Sequence, residues 1–262
     1  MKKRIINLVS ILGAVFALAW IGWRGAVLCG FSSHDNEQKL PTDDASAFVL
    51  LTDVVPDVIL EIRYYSTYNF IGRRIPGYEE PIAILTRQAA DSLKRVSDDL
   101  MKQGYRLKIF DAYRPQKAVD YFMEWAQALE DTLMRPYFYP ELDKSVLVPQ
   151  EYIAEKSGHT RGSTIDLTLF DMKTEKEVDM GCTYDYFGLA SHPSALPGAS
   201  VGAYQPINEQ QYANRMTLRS AMMAHGFKPY DCEWWHFYNP QNDGVGFFKT
   251  MGFISQNDAY IF

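Results

Sequence analysis

Cysteine is scarce. Cys29, Cys182 and Cys232 are the only three in the chain, too few for a disulfide framework, and their spacing is not that of a zinc knuckle. Basic residues are also in the minority, 26 against 32 acidic ones, which leaves a net charge of −6. That balance argues against a nucleic acid or an anionic membrane surface as the main partner and leaves small molecules that can enter a cleft. Internal repeats and low-complexity runs are absent, so nothing points to a repeat architecture. What remains is 262 residues, 47% of them hydrophobic, enough to bury one sizeable core.

The N-terminus is set apart. Lys2, Lys3 and Arg4 precede an uncharged and mostly apolar run from Ile5 to Trp23, closed by Arg24. Positive charge followed by an apolar core is the layout of a secretory signal, and the run is also close to the length that spans a bilayer. Export is expected, with an extracytoplasmic, periplasmic location. The segment is either removed, for which Gly30-Phe31-Ser32 offers a small-x-small site, or kept as a membrane attachment. Residues 31–47 then turn polar without periodicity and read as a linker. The expected division is 1–30 signal peptide or anchor, 31–47 linker and 48–262 a single globular domain. In an exported chain Cys182 and Cys232 are read as a disulfide or as two buried free thiols.

The stretch that organises the rest is Ser157-Gly-His-Thr-Arg-Gly-Ser-Thr-Ile-Asp166, taken together with Glu233-Trp-Trp-His236. Two imidazoles and a carboxylate, His159, His236 and Asp166, are the ligand set of a hydrolytic zinc centre that keeps one position for water. A further carboxylate is then needed to move a proton between that water and the leaving group, and Glu233 is the candidate. Ile165, Leu167 and Leu169 alternate with Thr164, Asp166 and Thr168, which predicts a half-buried strand with Asp166 on its polar side. Gly158 and Gly162 allow the chain to bend His159 back toward Asp166. Glu233 and His236 are three apart and would face opposite sides of a regular strand, so the strand begins after Glu233 or a bulge re-aims one of them. His34, His192 and His225 have no matching motif.

Local signals fill in the scaffold. Thr86 predicts a helix cap, with Ala89, Ala90, Leu93, Val96 and Leu100 at helical spacing and Gly104 as the stop. Tyr105 to Phe110 alternates as a strand and delivers Asp111 to Arg114 to its end, before Pro115 opens a helix over residues 115–129. Residues 135–150, with three prolines, read as loop. Ser191 to Pro206, rich in Gly, Pro, Ser and Ala, reads as a rim of the cleft. Asn208 with Gln211 predicts a capped helix that Gly226 closes.

The pattern Ser-x-His-x-x-Gly-x-x-x-Asp, followed by Glu-Trp-Trp-His and preceded by Asp111-Ala-Tyr-Arg-Pro115, resembles the VanX-type zinc D-alanyl-D-alanine dipeptidases over roughly residues 50 to 240. The resemblance implies an α+β fold, an antiparallel sheet flanked by helices, shared with other D-Ala-D-Ala metallopeptidases and the hedgehog signalling domain. It implies hydrolysis of a small dipeptide, D-alanyl-D-alanine, with Zn²⁺ on His159, Asp166 and His236, Glu233 as base and Arg114 on the oxyanion. It further implies that Asp185 receives the substrate ammonium, with Tyr64 and Ser157 as substrate contacts. Two rivals stand beside this reading. One is a cell-wall D,D- or L,D-carboxypeptidase or endopeptidase on the same fold, and the other is a zinc-binding domain without catalysis. No oligomeric state follows from the sequence.

Overall fold

The computed structural model describes residues 47–150, 152–193 and 207–242. The N-terminal apolar run, all but the last residue of the linker, and the 194–206 part of the expected rim lie outside the described residues. Among those described, no helix is long and apolar enough to cross a membrane.

The strands are β1 (Phe48–Leu50), β2 (Ile59–Leu60), β3 (Ile84–Thr86), β4 (Tyr105–Asp111), β5 (Thr164–Asp171), β6 (Lys176–Glu177), β7 (Lys228–Tyr230) and β8 (Glu233–Tyr238). The helices are α1 (Leu51–Val54), α2 (Arg87–Lys102), α3 (Gln116–Gln127), α4 (Arg135–Phe138) and α5 (Glu209–Ala224). The main sheet runs β2-β4-β5-β8-β7, with β6 paired to β5. It is antiparallel except at one edge, where β2 runs parallel to β4. β1 and β3 form a separate antiparallel pair.

The two long helices form where the sequence places their signals. Thr86 accepts a hydrogen bond from Ala89 N at the start of α2, and Asn208 and Gln211 form a reciprocal capping box at the start of α5. Gly104 and Gly226 follow the two helices with φ of +89° and +88°, the left-handed conformation that ends a helix with little strain only at glycine. Ala89, Ala90, Leu93, Val96 and Leu100 are all fully buried. Each large aliphatic side chain among them contributes about 1.5–3 kcal/mol. The helix after Pro115 spans Gln116–Gln127, a residue or two shorter than expected at each end. The expected loop at 135–150 contains α4 and a 3₁₀ turn at Lys144–Val146.

The expectation of a half-buried β5 is corrected. Every residue from Thr164 to Leu169 is buried, because the polar face is covered as well as the apolar one. Phe110 and Tyr184 stack there, ring centroids 4.8 Å apart, within an aromatic layer that includes Tyr64, Phe70, Phe122 and Phe187. The polar side of β5 therefore opens into a narrow lined site and not into bulk solvent.

Candidate metal centre

Asp166 lies at the centre of the sheet with a bulge on each side. In the β4–β5 ladder Ile109 faces Leu167 but Asp111 faces Asp166, so Phe110 is an extra residue and Asp111 turns onto the face of Asp166. In the β7–β8 ladder Pro229 faces Phe237 but Tyr230 faces Glu233. The extra residues on β8 re-aim its start, and Glu233 Oε2 comes within 3.3 Å of His236 Nδ1. Of the two ways to bring Glu233 and His236 together, the bulge is the one used.

His159 arrives from a 3₁₀ turn, Gly158–Arg161. Ser157 caps this turn, its Oγ accepting from His159 N at 3.3 Å. Gly162 follows at φ +72°, and a Cβ there would lie 2.1 Å from Phe48 Cε1, so both conformation and space require glycine. The turn is clasped to the end of β4: His159 Nδ1 donates to Ala112 O at 2.7 Å, and Arg114 N donates to His159 O at 3.3 Å. With Nδ1 occupied, the tautomer is fixed and Nε2 is left to face the site.

The three ligand atoms converge. His159 Nε2 is 3.4 Å from His236 Nδ1 and 3.3 Å from Asp166 Oδ2, and His236 Nδ1 is 3.0 Å from Asp166 Oδ1. An ion about 2.0–2.2 Å from tetrahedral donors sets those donors roughly 3.3–3.6 Å apart, so a cation fits with little movement. Asp166 Oδ1 is buried and faces His236 Nδ1. Two imidazole nitrogens and one carboxylate oxygen form a donor set suited to a zinc-like ion. Among the described residues, this is the one group of His, Cys, Asp and Glu side chains placed to hold a metal.

The electrostatics separate the site's acids. Burial works to raise Asp166, but His159 and His236 outweigh it and hold the carboxyl well below the usual range. Glu233 is pushed by burial, with help from the charge of Asp166, up to about 7. A carboxyl so poised can take up and return a proton near neutrality. Asp185, 6% exposed and at φ +60°, is raised well above its ordinary value by burial and then by Asp166 and Glu233, against Arg114. Its Oδ2 has no hydrogen-bond partner.

Arg114 leaves the strand end as expected. Its Nε and Nη2 each lie 2.9 Å from Asp111 Oδ2, the Tyr78 hydroxyl donates to Asp111 Oδ1 at 2.7 Å, and Nη2 is 3.6 Å from Asp166 Oδ2. The guanidinium carbon lies 5.1 Å from the Tyr64 ring centroid and 5.4 Å from that of Phe122. Tyr64 is 1% exposed, and its hydroxyl lies 3.2 Å from that of Tyr184. Cys182 is a free thiol, so no Cys182–Cys232 disulfide forms. Sequence reasoning assigned no role to Asp111, Tyr78 or Tyr184. Asp111 lay inside the quoted Asp-Ala-Tyr-Arg-Pro motif, whereas the tyrosines carried no local signal.

A family model described as D-ala-D-ala dipeptidase matches residues 44–252. The D-alanyl-D-alanine dipeptidase of Enterococcus faecium is 38% identical over 190 residues, covering 72% of this chain and 90% of its own. That of Enterococcus faecalis is 35% identical over 192 residues, 73% of this chain and 91% of its own. The Streptomyces coelicolor enzyme of the same name is 33% identical over 190 residues, 72% and 90% respectively. Because the match from residue 44 to residue 252 takes in every residue of the site, the chain belongs to the D-Ala-D-Ala dipeptidase family of peptidases.

Proposed function

We propose that this chain hydrolyses D-alanyl-D-alanine to two molecules of D-alanine at a zinc centre held by His159, Asp166 and His236. The observation that carries the reading is the convergence of these three ligands with Glu233 3.3 Å from His236, in a family whose curated relatives bear that activity in their names. Zinc in this position supplies the Lewis acid that makes water acidic near neutral pH and polarises the scissile carbonyl.

The protein's own groups perform the remaining work. Glu233 takes a proton from water as the water oxygen bonds to the carbonyl carbon. Arg114, held by Asp111 so that its free edge faces the site, stabilises the developing oxyanion. Glu233 then delivers the proton to the amide nitrogen as the carbon–nitrogen bond breaks, which releases the C-terminal residue as an amine. Asp185 receives the substrate ammonium, and Tyr64 orients that carboxyl through its hydroxyl. Ser157 holds the His159 turn and lies at the edge of the substrate space.

A buried carboxyl with one oxygen, Oδ2, left without a hydrogen-bond partner is the feature that favours a dipeptide over a longer chain. Its charge is costly until a cation sits beside it, and a free amino terminus provides one. The basic, then apolar, N-terminal segment supports an extracytoplasmic setting, where the substrate is released dipeptide and not a biosynthetic precursor in the cytosol.

The test is D-alanine release by the purified, zinc-loaded full chain, assayed on free D-Ala-D-Ala and on a muropeptide ending in D-Ala-D-Ala. Release from the dipeptide alone is expected. Release from the muropeptide in preference would make the protein a wall carboxypeptidase, and release from neither with zinc bound would make it a binding domain.

A further inference from the structure

Two phenol hydroxyls meet beneath the site. Tyr184 Oη lies 3.0 Å from Asp166 Oδ2 and 3.2 Å from Tyr64 Oη. Each phenol has one proton to donate. A carboxylate is a stronger acceptor than a phenol oxygen, so Tyr184 donates its one proton to Asp166 and not to Tyr64.

The other groups near Asp166 do not replace this donor. His159 Nε2 and His236 Nδ1 are the nitrogens that would face an ion, and a nitrogen bound to a metal has no proton to give. Arg114 Nη2 is 3.6 Å from Asp166 Oδ2, beyond hydrogen-bond length, and is committed to Asp111. Tyr184 is itself rigidly placed. It is 1% exposed, lies nearly parallel to Phe110 at an interplanar angle of 24°, and meets Trp235 edge to face at 5.4 Å.

We propose that Tyr184 is a positioning residue for the metal ligand Asp166. Its hydroxyl takes up Oδ2 and leaves Oδ1, which faces His236 Nδ1 at 3.0 Å, as the one presented to the ion. The inference rests on Asp166 being a ligand, and its test is made without substrate, so that it stands or falls apart from the choice of dipeptide.

The experiment measures zinc affinity of the full chain by competition with a chelator, together with the visible spectrum of the cobalt(II)-substituted protein. Tyr184→Phe removes one oxygen and keeps the ring. It is expected to weaken zinc binding about 10- to 100-fold, the usual effect of losing a group that orients a ligand, and to alter the cobalt bands. Tyr64→Phe, one hydroxyl further away, is expected to leave zinc affinity within about twofold, because it removes no bond to a ligand, and to leave the cobalt bands unchanged.

Wild-type zinc affinity in Tyr184→Phe would overturn the assignment, as would equal losses in the two variants. Near-ultraviolet circular dichroism of the metal-free Tyr184→Phe protein guards against a trivial cause. An unchanged spectrum with weakened zinc supports the proposal, and a changed one makes the loss a packing effect and overturns it. A wild-type chain that binds no zinc overturns the ligand reading and this proposal together.

Discussion

Asp166 and Asp185 are both buried carboxyls in one site, 2% and 6% exposed, yet they are driven in opposite directions. Asp166 sits on a central strand between two imidazoles and is held ionised. Asp185 sits on a loop at φ +60°, next to other acids, and is pushed toward its neutral form. Burial is common to both, so company and not depth sets their charge. The strand-borne half has an arrangement complete except for a cation. The loop-borne half has a carboxyl whose charge is disfavoured by burial and by the neighbouring acids, with Arg114 acting against them.

The contrast can be broken from either side. The largest effect is expected for Asp166→Asn, which replaces a ligand carboxylate with a neutral amide. Zinc content by metal analysis should fall to background, and D-alanine release with it.

Next in size is Glu233→Gln. A positioned general base typically contributes about 10²- to 10⁴-fold in rate, so kcat on D-Ala-D-Ala should drop by that order while zinc stays bound. An active Glu233→Gln protein would remove Glu233 from the mechanism.

Asp185→Asn addresses the other half. Loss of a charge-assisted contact of about 1.5–3 kcal/mol should raise KM for the dipeptide roughly 10- to 100-fold, with a smaller change in kcat. Steady-state kinetics give the split, and an unchanged KM would move the ammonium site elsewhere.

The smallest expected effect sharpens the comparison best. Because the native pKa of Asp185 lies above its unfolded value of about 3.9, the folded state binds the extra proton. Stability therefore declines as pH rises from about 4 toward the native pKa. Asparagine never ionises and tolerates positive φ. Asp185→Asn should therefore melt a few degrees above wild type at neutral pH, for a gain of about 1 kcal/mol, with the difference closing below pH of about 4. A difference independent of pH would mean that Asp185 has the same pKa in the folded and unfolded protein. Thermal melts across pH provide the check.

Much of this was legible without coordinates. The cap at Thr86, the box at Asn208 and Gln211, and the glycine stops at 104 and 226 are local signals, and they hold because capping depends on a few adjacent residues. The grouping of His159, Asp166 and His236 as side chains that could hold a metal was legible because chemistry restricts which side chains do so. Residues whose importance depends on non-local neighbours were not. Tyr78, Tyr184 and Trp235 look like any buried aromatics in sequence. Alternation along β5 was read correctly, but the half-buried exposure drawn from it was not, because what covers the polar face comes from distant segments.

The sequence by itself determined the caps and glycine stops of the two long helices, the glycine-flanked His159 turn and the types of group at the centre, since each depends on local backbone preference or intrinsic chemistry. Only the tertiary structure decided the two bulges that turn Asp111 and Glu233 onto the face of Asp166, and the opposite charge preferences of Asp166 and Asp185. Register across a sheet and the electrostatic surroundings of a buried carboxyl are properties of strands and loops brought together, and no stretch of chain contains them alone.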